Sequence, residues 1–158
     1  MRIAVLTLSD RCSTGSMKDR SGPALVALAG EAFPGAEIVA EILPDEEARL
    51  TARLIALADS GASLILTTGG TGLGPRDRTP EATRAALDRE APGLAERIRA
   101  EGMKLNQFAA LSRGVAGLRG GTLIINFPGS ERGAREGFAA VAPLLGHALE
   151  MIAGGNHH

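Results

Sequence analysis

Three almost unbroken apolar runs constrain this chain most: Ile3-Ala4-Val5-Leu6-Thr7-Leu8, Leu64-Ile65-Leu66 and Thr122-Leu123-Ile124-Ile125-Asn126-Phe127. A strand with one wet face alternates apolar and polar residues, whereas runs this continuous leave no face for water. Each reads as a strand buried on both sides. Ala36 to Leu43, β-branched and apolar in alternation, reads as a further strand. Helical patterns fill the gaps. Ser21 is placed to cap a helix with Pro23 in its first turn, running to about Phe33. Pro44-Asp45-Glu46-Glu47 opens a second, with acids favourable to its dipole, which runs to about Ser60 and ends at Gly61. Thr79 caps a third whose first residue is Pro80. A fourth begins at Pro92, with Leu94, Ile98 and Leu105 facing inward. Ser130 caps the last, whose apolar face is Val141, Leu144, Leu145, Ala148, Met151 and Ile152. Residues 112–118 are ambiguous and read as a short edge strand. This alternation is the pattern of an α/β fold with a mostly parallel sheet covered on both faces.

Ligands of such sheets sit beyond the carboxyl ends of the strands. Four loops should meet there, beginning at Ser9-Asp10, Pro44-Asp45, Thr67-Thr68-Gly69 and Asn126-Phe127-Pro128. The third, "TTGGTGLGPRDRTPEAT" at 67–83, concentrates Gly69, Gly70, Gly72 and Gly74 between a strand and a helix start. It lacks the lysine of a Walker A loop, and Pro75 occupies the third glycine place of a dinucleotide fingerprint. Its position still suits an anion such as a phosphate, because glycines let backbone N–H groups approach a ligand closely. A plain tight turn is the alternative. Asp77 reads either as a loop acid paired with Arg76 or Arg78, or as half of a carboxylate pair with Asp45. Asp45 alone is an ordinary helix N-terminal acid. Together, each following a different central strand, they form a natural Mg²⁺ site facing phosphates.

Other chemistries find little support. His147 reads as core or flank of the last helix, and His157 and His158 as a tail. No His/Cys cluster has zinc spacing. Cys12 has no evident base, and being alone it forms no intrachain disulfide, so a reducing cytoplasm is expected. Net charge is −1, with no block of Lys/Arg and no Trp or Tyr, which argues against nucleic acid. Nothing near Met1 resembles a signal peptide, and no apolar run approaches the ~18 residues of a membrane span. The expected organisation is one domain over residues 1–154, with 155–158 a frayed tail.

"LTTGGTGLGPRDRTPEAT" strongly resembles the signature of molybdopterin-binding proteins of the MogA/MoaB type, including the matching domain of gephyrin. "LSDRCSTGSMKDRSGP" at 8–23 and "LSRGVAGLRGGTLIINFPGS" at 111–130 resemble the first and last loops of that family, in the right order. The resemblance implies a three-layer αβα sandwich, usually a homotrimer. It implies Mg²⁺-dependent adenylyl transfer from ATP to molybdopterin, giving adenylylated molybdopterin and pyrophosphate. Matching the motifs puts the essential aspartates at Asp45 and Asp77, the nucleotide near the first loop, Ser9 to Ser21, with Ser9 and Asp10 as contacts, and the pterin and phosphate contacts at Thr68, Gly69, Gly70, Thr71 and Gly72, at Ser112 and Arg113, and at Asn126, Pro128, Gly129 and Ser130. Where many relatives continue the last Pro-Gly with Pro or Lys, this chain has Ser-Glu-Arg, with Arg132 and Arg135 nearby. Three alternatives stay open: a MoaB-type binder with weak catalysis or a place in a tungsten pathway, a non-enzymatic scaffold, and the related nucleotide-processing domain of CinA-type proteins.

Overall fold

The computed structural model describes residues 1–155. Strand β1 (Arg2–Leu8) leads through α1 (Asp10–Ser13) and α2 (Ser21–Ala32) to β2 (Glu37–Leu43). The chain continues through α3 (Glu47–Asp59), β3 (Leu64–Thr68), α4 (Thr79–Ala86), β4 (Arg89–Glu90) and α5 (Pro92–Met103). A 3-10 turn (Gln107–Leu111), β5 (Ala116–Arg119), β6 (Thr122–Phe127) and α6 (Glu131–Ile152) complete it. The six-stranded sheet has the order β2-β1-β3-β6-β5-β4. β2, β1, β3 and β6 run parallel, and β5 pairs antiparallel with β6 on one side and with β4 on the other.

The continuous apolar runs fill two cores at once. Ile3, Val5, Leu64, Leu66, Leu123, Ile125 and Phe127 meet α2, α5 and α6 on one face. The intervening Ala4, Leu6, Leu8, Ile65 and Ile124 meet α3 and α4 on the other. Side chains of a strand alternate faces, so only a strand apolar at every position can sit between two helical layers. This is the expected three-layer αβα sandwich.

Several expected boundaries move, each for a local reason. The loop after β1 begins as a short helix, because Ser9 Oγ accepts from the Cys12 N–H (3.1 Å) and caps it. Ser21 is a buried helical residue and not a cap, because Asp19 Oδ1 accepts from the Gly22 N–H instead (3.0 Å). Thr79 is likewise the first helical residue, with Arg78 at the cap position. α3 starts only at Glu47, because Asp45 is held in the loop by Asp10. β5 is internal, since the two-residue β4 covers its far side. β4 carries no apolar signal that a sequence reading can use. Leu105 lies past the end of α5 and is exposed. Leu144 and Met151 are exposed too, each rotated roughly 80–100° from the line midway between Val141 and Leu145. His147 is on the surface of α6 and not in the core. Of the expected tail, residues 156–158, including His157 and His158, lie outside the described residues. No described helix is long and apolar enough to cross a membrane.

Candidate active site

The chain leaves β1 toward α2 on one face of the sheet and β3 toward α4 on the other. Their carboxyl ends therefore diverge, opening a crevice at the switch point where α/β sheets bind ligands. Two clefts occupy it. The first, about 590 Å³, runs from Ser9 and Asp10 past Asp45 to Thr68, Gly69 and Asp77. The second, about 420 Å³, runs from Thr71 and Gly72 past Phe108 and Ser112 to Pro128 and Arg132. They share Gly70, Asp77, Gly129 and Ser130, so Asp77 stands where one meets the other.

The glycine loop makes this junction possible. Gly69 has φ +96°, and a Cβ there would lie 2.3 Å from the Leu8 carbonyl oxygen. Gly70 has φ +67°, and its Cβ would lie 2.2 Å from Thr79 Oγ1. Gly72 and Gly74 leave room for the Asp77 carboxylate, whose Oδ2 would lie 3.0 and 2.8 Å from their added Cβ atoms. The Gly69 N–H is already used, donating to the Phe127 carbonyl (3.2 Å). Those of Gly70, Thr71 and Gly72 donate to nothing among the described residues. The same holds for Gly129, Ser130, Glu131 and Arg132 at the start of the 22-residue α6. Two groups of free backbone donors, one on each side of Asp77, are what anionic ligands seek.

The carboxylates are arranged with equal economy. Asp10 and Asp45 clasp the first two loops reciprocally: the Asp10 N–H donates to Asp45 Oδ2 (3.0 Å), and the Asp45 N–H donates to Asp10 Oδ1 (2.9 Å). Arg76 adds a forked pair to Asp10, 3.0 and 2.9 Å. That guanidinium, with the Asp45 N–H, holds the Asp10 carboxyl below the usual carboxylate range. Asp45 is displaced the other way. Burial raises its pKa, and the negative charges of Asp10 and Asp77 add to the rise. A cation beside Asp45 would relieve that cost.

Asp77 sits between two arginines and pairs with neither. Arg76 is spent on Asp10, and Arg78 on Glu47 (3.0 Å) and Glu81 (3.8 Å). The Asp77 carboxylate accepts only the Gly74 N–H, 2.9 Å. Its charge is otherwise free to face the junction.

The structure gathers Ser9, Asp10, Asp45, Thr68, Gly69, Gly70, Thr71, Gly72, Asp77, Ser112, Pro128, Gly129 and Ser130 along the two clefts. It does not bring Asn126 there. Asn126 is 2% exposed, donates to Thr67 and Thr83 and accepts the Val115 N–H, joining β3, α4 and the residue that leads into β5. Arg113 is turned toward the protein backbone and not toward the second cleft. Thr68 Oγ1 donates to the Pro128 carbonyl (2.7 Å), tying two strand ends together. Asn126→Ala should therefore cost about 2–3 kcal/mol, since it strands buried partners. Thermal melting checks this, and a Tm shift under about 2 °C would refute the structural role.

Within the first loop, expected near the nucleotide, sequence reasoning did not single out every residue that lines the cleft. Asp19 accepts from Thr7 Oγ1 (2.8 Å) as well as from Gly22, fixing the first-cleft wall. Arg11, Lys18 and Arg20 line that cleft, and none of their side chains has an ion pair among the described residues. A loop has no periodicity, so only its run of charges could have pointed to it.

A family model described as "Probable molybdopterin binding domain" matches residues 4–147. The molybdenum cofactor synthesis protein cinnamon of Drosophila melanogaster is 47% identical over 94% of this chain, which spans only 25% of the fly protein's length. A molybdopterin adenylyltransferase of Helicobacter pylori is 38% identical over 98% of this chain and 89% of its own. Among solved structures, the molybdopterin biosynthesis enzyme MoaB of Thermus thermophilus is 51% identical, with a TM-score of 0.87 over 97% of this chain and 96% of that one.

Proposed function

Because the chain belongs to the MogA/MoaB family of molybdopterin-binding domains in molybdenum cofactor biosynthesis, we propose that it transfers the adenylyl group of ATP to molybdopterin. The observation that carries this reading is the junction: two clefts with free backbone donors share Gly70, Gly129, Ser130 and Asp77. A protein that only binds one pterin needs one such cleft. A transferase joining two polyanions needs two that meet.

In this reading ATP takes the first cleft, where Arg11, Lys18 and Arg20 have charge to spare. Molybdopterin takes the second, with its phosphate at the free N–H groups of Gly70–Gly72 and of the α6 N-terminus. An oxygen of that phosphate attacks the α-phosphorus of ATP. The bond from the α-phosphorus to the bridging oxygen breaks, and pyrophosphate leaves with the electron pair. Neither a covalent nucleophile nor a general base is needed, because such transfers depend mainly on positioning and charge stabilisation.

Among the described residues no cluster of three or more His, Cys, Asp or Glu side chains makes a metal-ligand set. Mg²⁺ does not require one, since one or two carboxylates plus phosphate oxygens and water suffice. Asp45 and Asp77 fit that demand: both line the first cleft, and Asp45 carries a net cost to its charge, since burial outweighs the Asp10 N–H and Arg76. Bound there, Mg²⁺ would offset the repulsion between the two anionic substrates. Asp10 and Arg76 hold the Asp45 loop in place, the backbone donors orient the phosphates, and the glycine loop keeps Asp77 at the junction.

Mixing the pure protein with Mg²⁺, ATP and molybdopterin and measuring pyrophosphate tests the reading. Release that requires the pterin is expected. Tight pterin binding with no pyrophosphate would favour a MoaB-type binder. The family likeness further leads us to expect a cytoplasmic homotrimer. Light scattering should then give about three times the 16.2 kDa chain mass, and a monomer at micromolar concentration would refute it.

A further inference from the structure

We infer that Arg113 is a positioning residue that sets Asp77 through the backbone of the glycine loop, and not a ligand of the substrate. The inference rests on the adenylyl-transfer reading above. Every nitrogen of the Arg113 guanidinium is committed inside the protein. Nε donates to the Gly72 carbonyl (2.8 Å), one terminal nitrogen to both oxygens of Glu81 (2.9 Å each), and the other to the Asp77 carbonyl (2.6 Å). The Arg113 N–H adds a bond to the Thr71 carbonyl (2.8 Å). One side chain thus grips both ends of the segment 72–77 and anchors it to α4 through Glu81. The pairing also holds the Glu81 carboxyl below its ordinary range, so the anchor stays charged.

Among the described residues the Asp77 carboxylate has no ion pair and accepts a hydrogen bond only from the Gly74 N–H, with the Arg113 guanidinium near enough to act on it electrostatically. Its position at the junction therefore depends on where the Asp77 backbone is held, and Arg113 holds its carbonyl to α4 while the Asp77 N–H donates to the Gly74 carbonyl (3.0 Å). A lysine cannot replace it, because a single ammonium does not match acceptors spread along a planar fork. Ser112, the preceding residue, lines the second cleft, so the brace and the pterin-side wall are one stretch of chain.

The test uses Arg113→Met, Arg113→Lys and Glu81→Gln in the full chain, with steady-state kinetics, Mn²⁺ binding in the presence of ATP followed by electron paramagnetic resonance, and melting. The expected result for Arg113→Met is kcat down about 30-fold or more with the KM for molybdopterin within about threefold. Mn²⁺ binding should weaken roughly tenfold, Arg113→Lys should recover little, and Glu81→Gln should fall between. Combined with Asp77→Asn, Arg113→Met should add almost nothing further, since both act on one carboxylate. A raised KM with kcat retained would make Arg113 a substrate ligand and overturn the inference. So would additive losses in the double variant, or activity lost only in step with unfolding and restored by cooling. If the wild-type protein transfers no adenylyl group, the functional reading fails by itself. The Mn²⁺ measurement then still decides the role of Arg113, and unchanged Mn²⁺ binding in Arg113→Met overturns it.

Discussion

Asp77→Asn should lose roughly a hundredfold or more in turnover, about 3 kcal/mol of transition-state stabilisation, while the protein folds as before. The carboxylate sits where the two clefts meet and is free of ion pairs although Arg76 and Arg78 flank it. If it only closed its own turn, asparagine would serve equally, because the amide oxygen can still accept the Gly74 N–H. Exposed polar pairings of that kind are worth at most about 1 kcal/mol. The two roles therefore separate on activity and not on stability. Tm should stay within about 2 °C, since no buried partner is stranded. Molybdopterin affinity should change by no more than about threefold, because its phosphate is assigned to backbone donors that the substitution leaves in place. Asp45→Asn should fall comparably, and the double variant should lose less than the sum, as two residues serving one site do. Single-turnover adenylylation beside pterin affinity and melting checks all of this. Unchanged turnover in Asp77→Asn would remove the catalytic assignment.

Gly69→Ala should do more damage to the fold than any other substitution in the glycine loop. Its φ of +96° is a conformation that residues with a Cβ avoid, which costs about 1–3 kcal/mol. The methyl group would also lie 2.3 Å from the Leu8 carbonyl oxygen, a backbone atom at the carboxyl end of β1 that has no rotamer to escape into. Overpacking of this kind costs about 1–3 kcal/mol more. The expected loss of about 3 kcal/mol or more lowers Tm by roughly 6–12 °C in a chain of this size. Relief by movement would part β3 from β1 at the site itself, so turnover should fall even below the new melting range. Gly129 feels the same shift, since its own added Cβ would lie 3.1 Å from the Gly69 Cα. Calorimetry checks the first part and kinetics at low temperature the second. A Tm within about 2 °C of wild type would show that the loop tolerates a side chain where the geometry forbids one.

The layers were legible because burial on both faces leaves a direct trace. β1, β3 and β6 each carry an unbroken run of at least three apolar residues and are buried at almost every position, which only a strand covered on both faces needs. The site was legible in outline for a related reason: Gly69 and Gly70 are required by the backbone, and Asp77 follows the central β3, although Asp45 follows β2, which proves to be an edge strand and not a central one. What stayed hidden is how long polar side chains choose among partners. Arg76 and Arg78 are equally adjacent to Asp77 in sequence, yet Arg76 reaches Asp10 across 66 positions and Arg78 reaches Glu47 across 31. Motif matching assigned Asn126 and Arg113 to the ligand, although both satisfy themselves within the protein. A motif marks residues that a site needs without separating those that touch a ligand from those that hold the ones that do. Asp19 was missed because its partners, Thr7 and Gly22, lie in a strand and a helix that read normally on their own.

Position-specific label transfer tests the central claim most directly. ATP labelled at the α-phosphorus, and separately at the γ-phosphorus, is mixed with the protein, Mg²⁺ and molybdopterin for a single turnover, and the pterin and pyrophosphate are separated. Two anions meeting at Asp77 with the α-phosphorus between them should send the α label to the pterin and the γ label to pyrophosphate. In Asp77→Asn the same distribution should appear at least about a hundredfold more slowly. A γ label on the pterin, or pterin that binds fully and stays unlabelled, would contradict it.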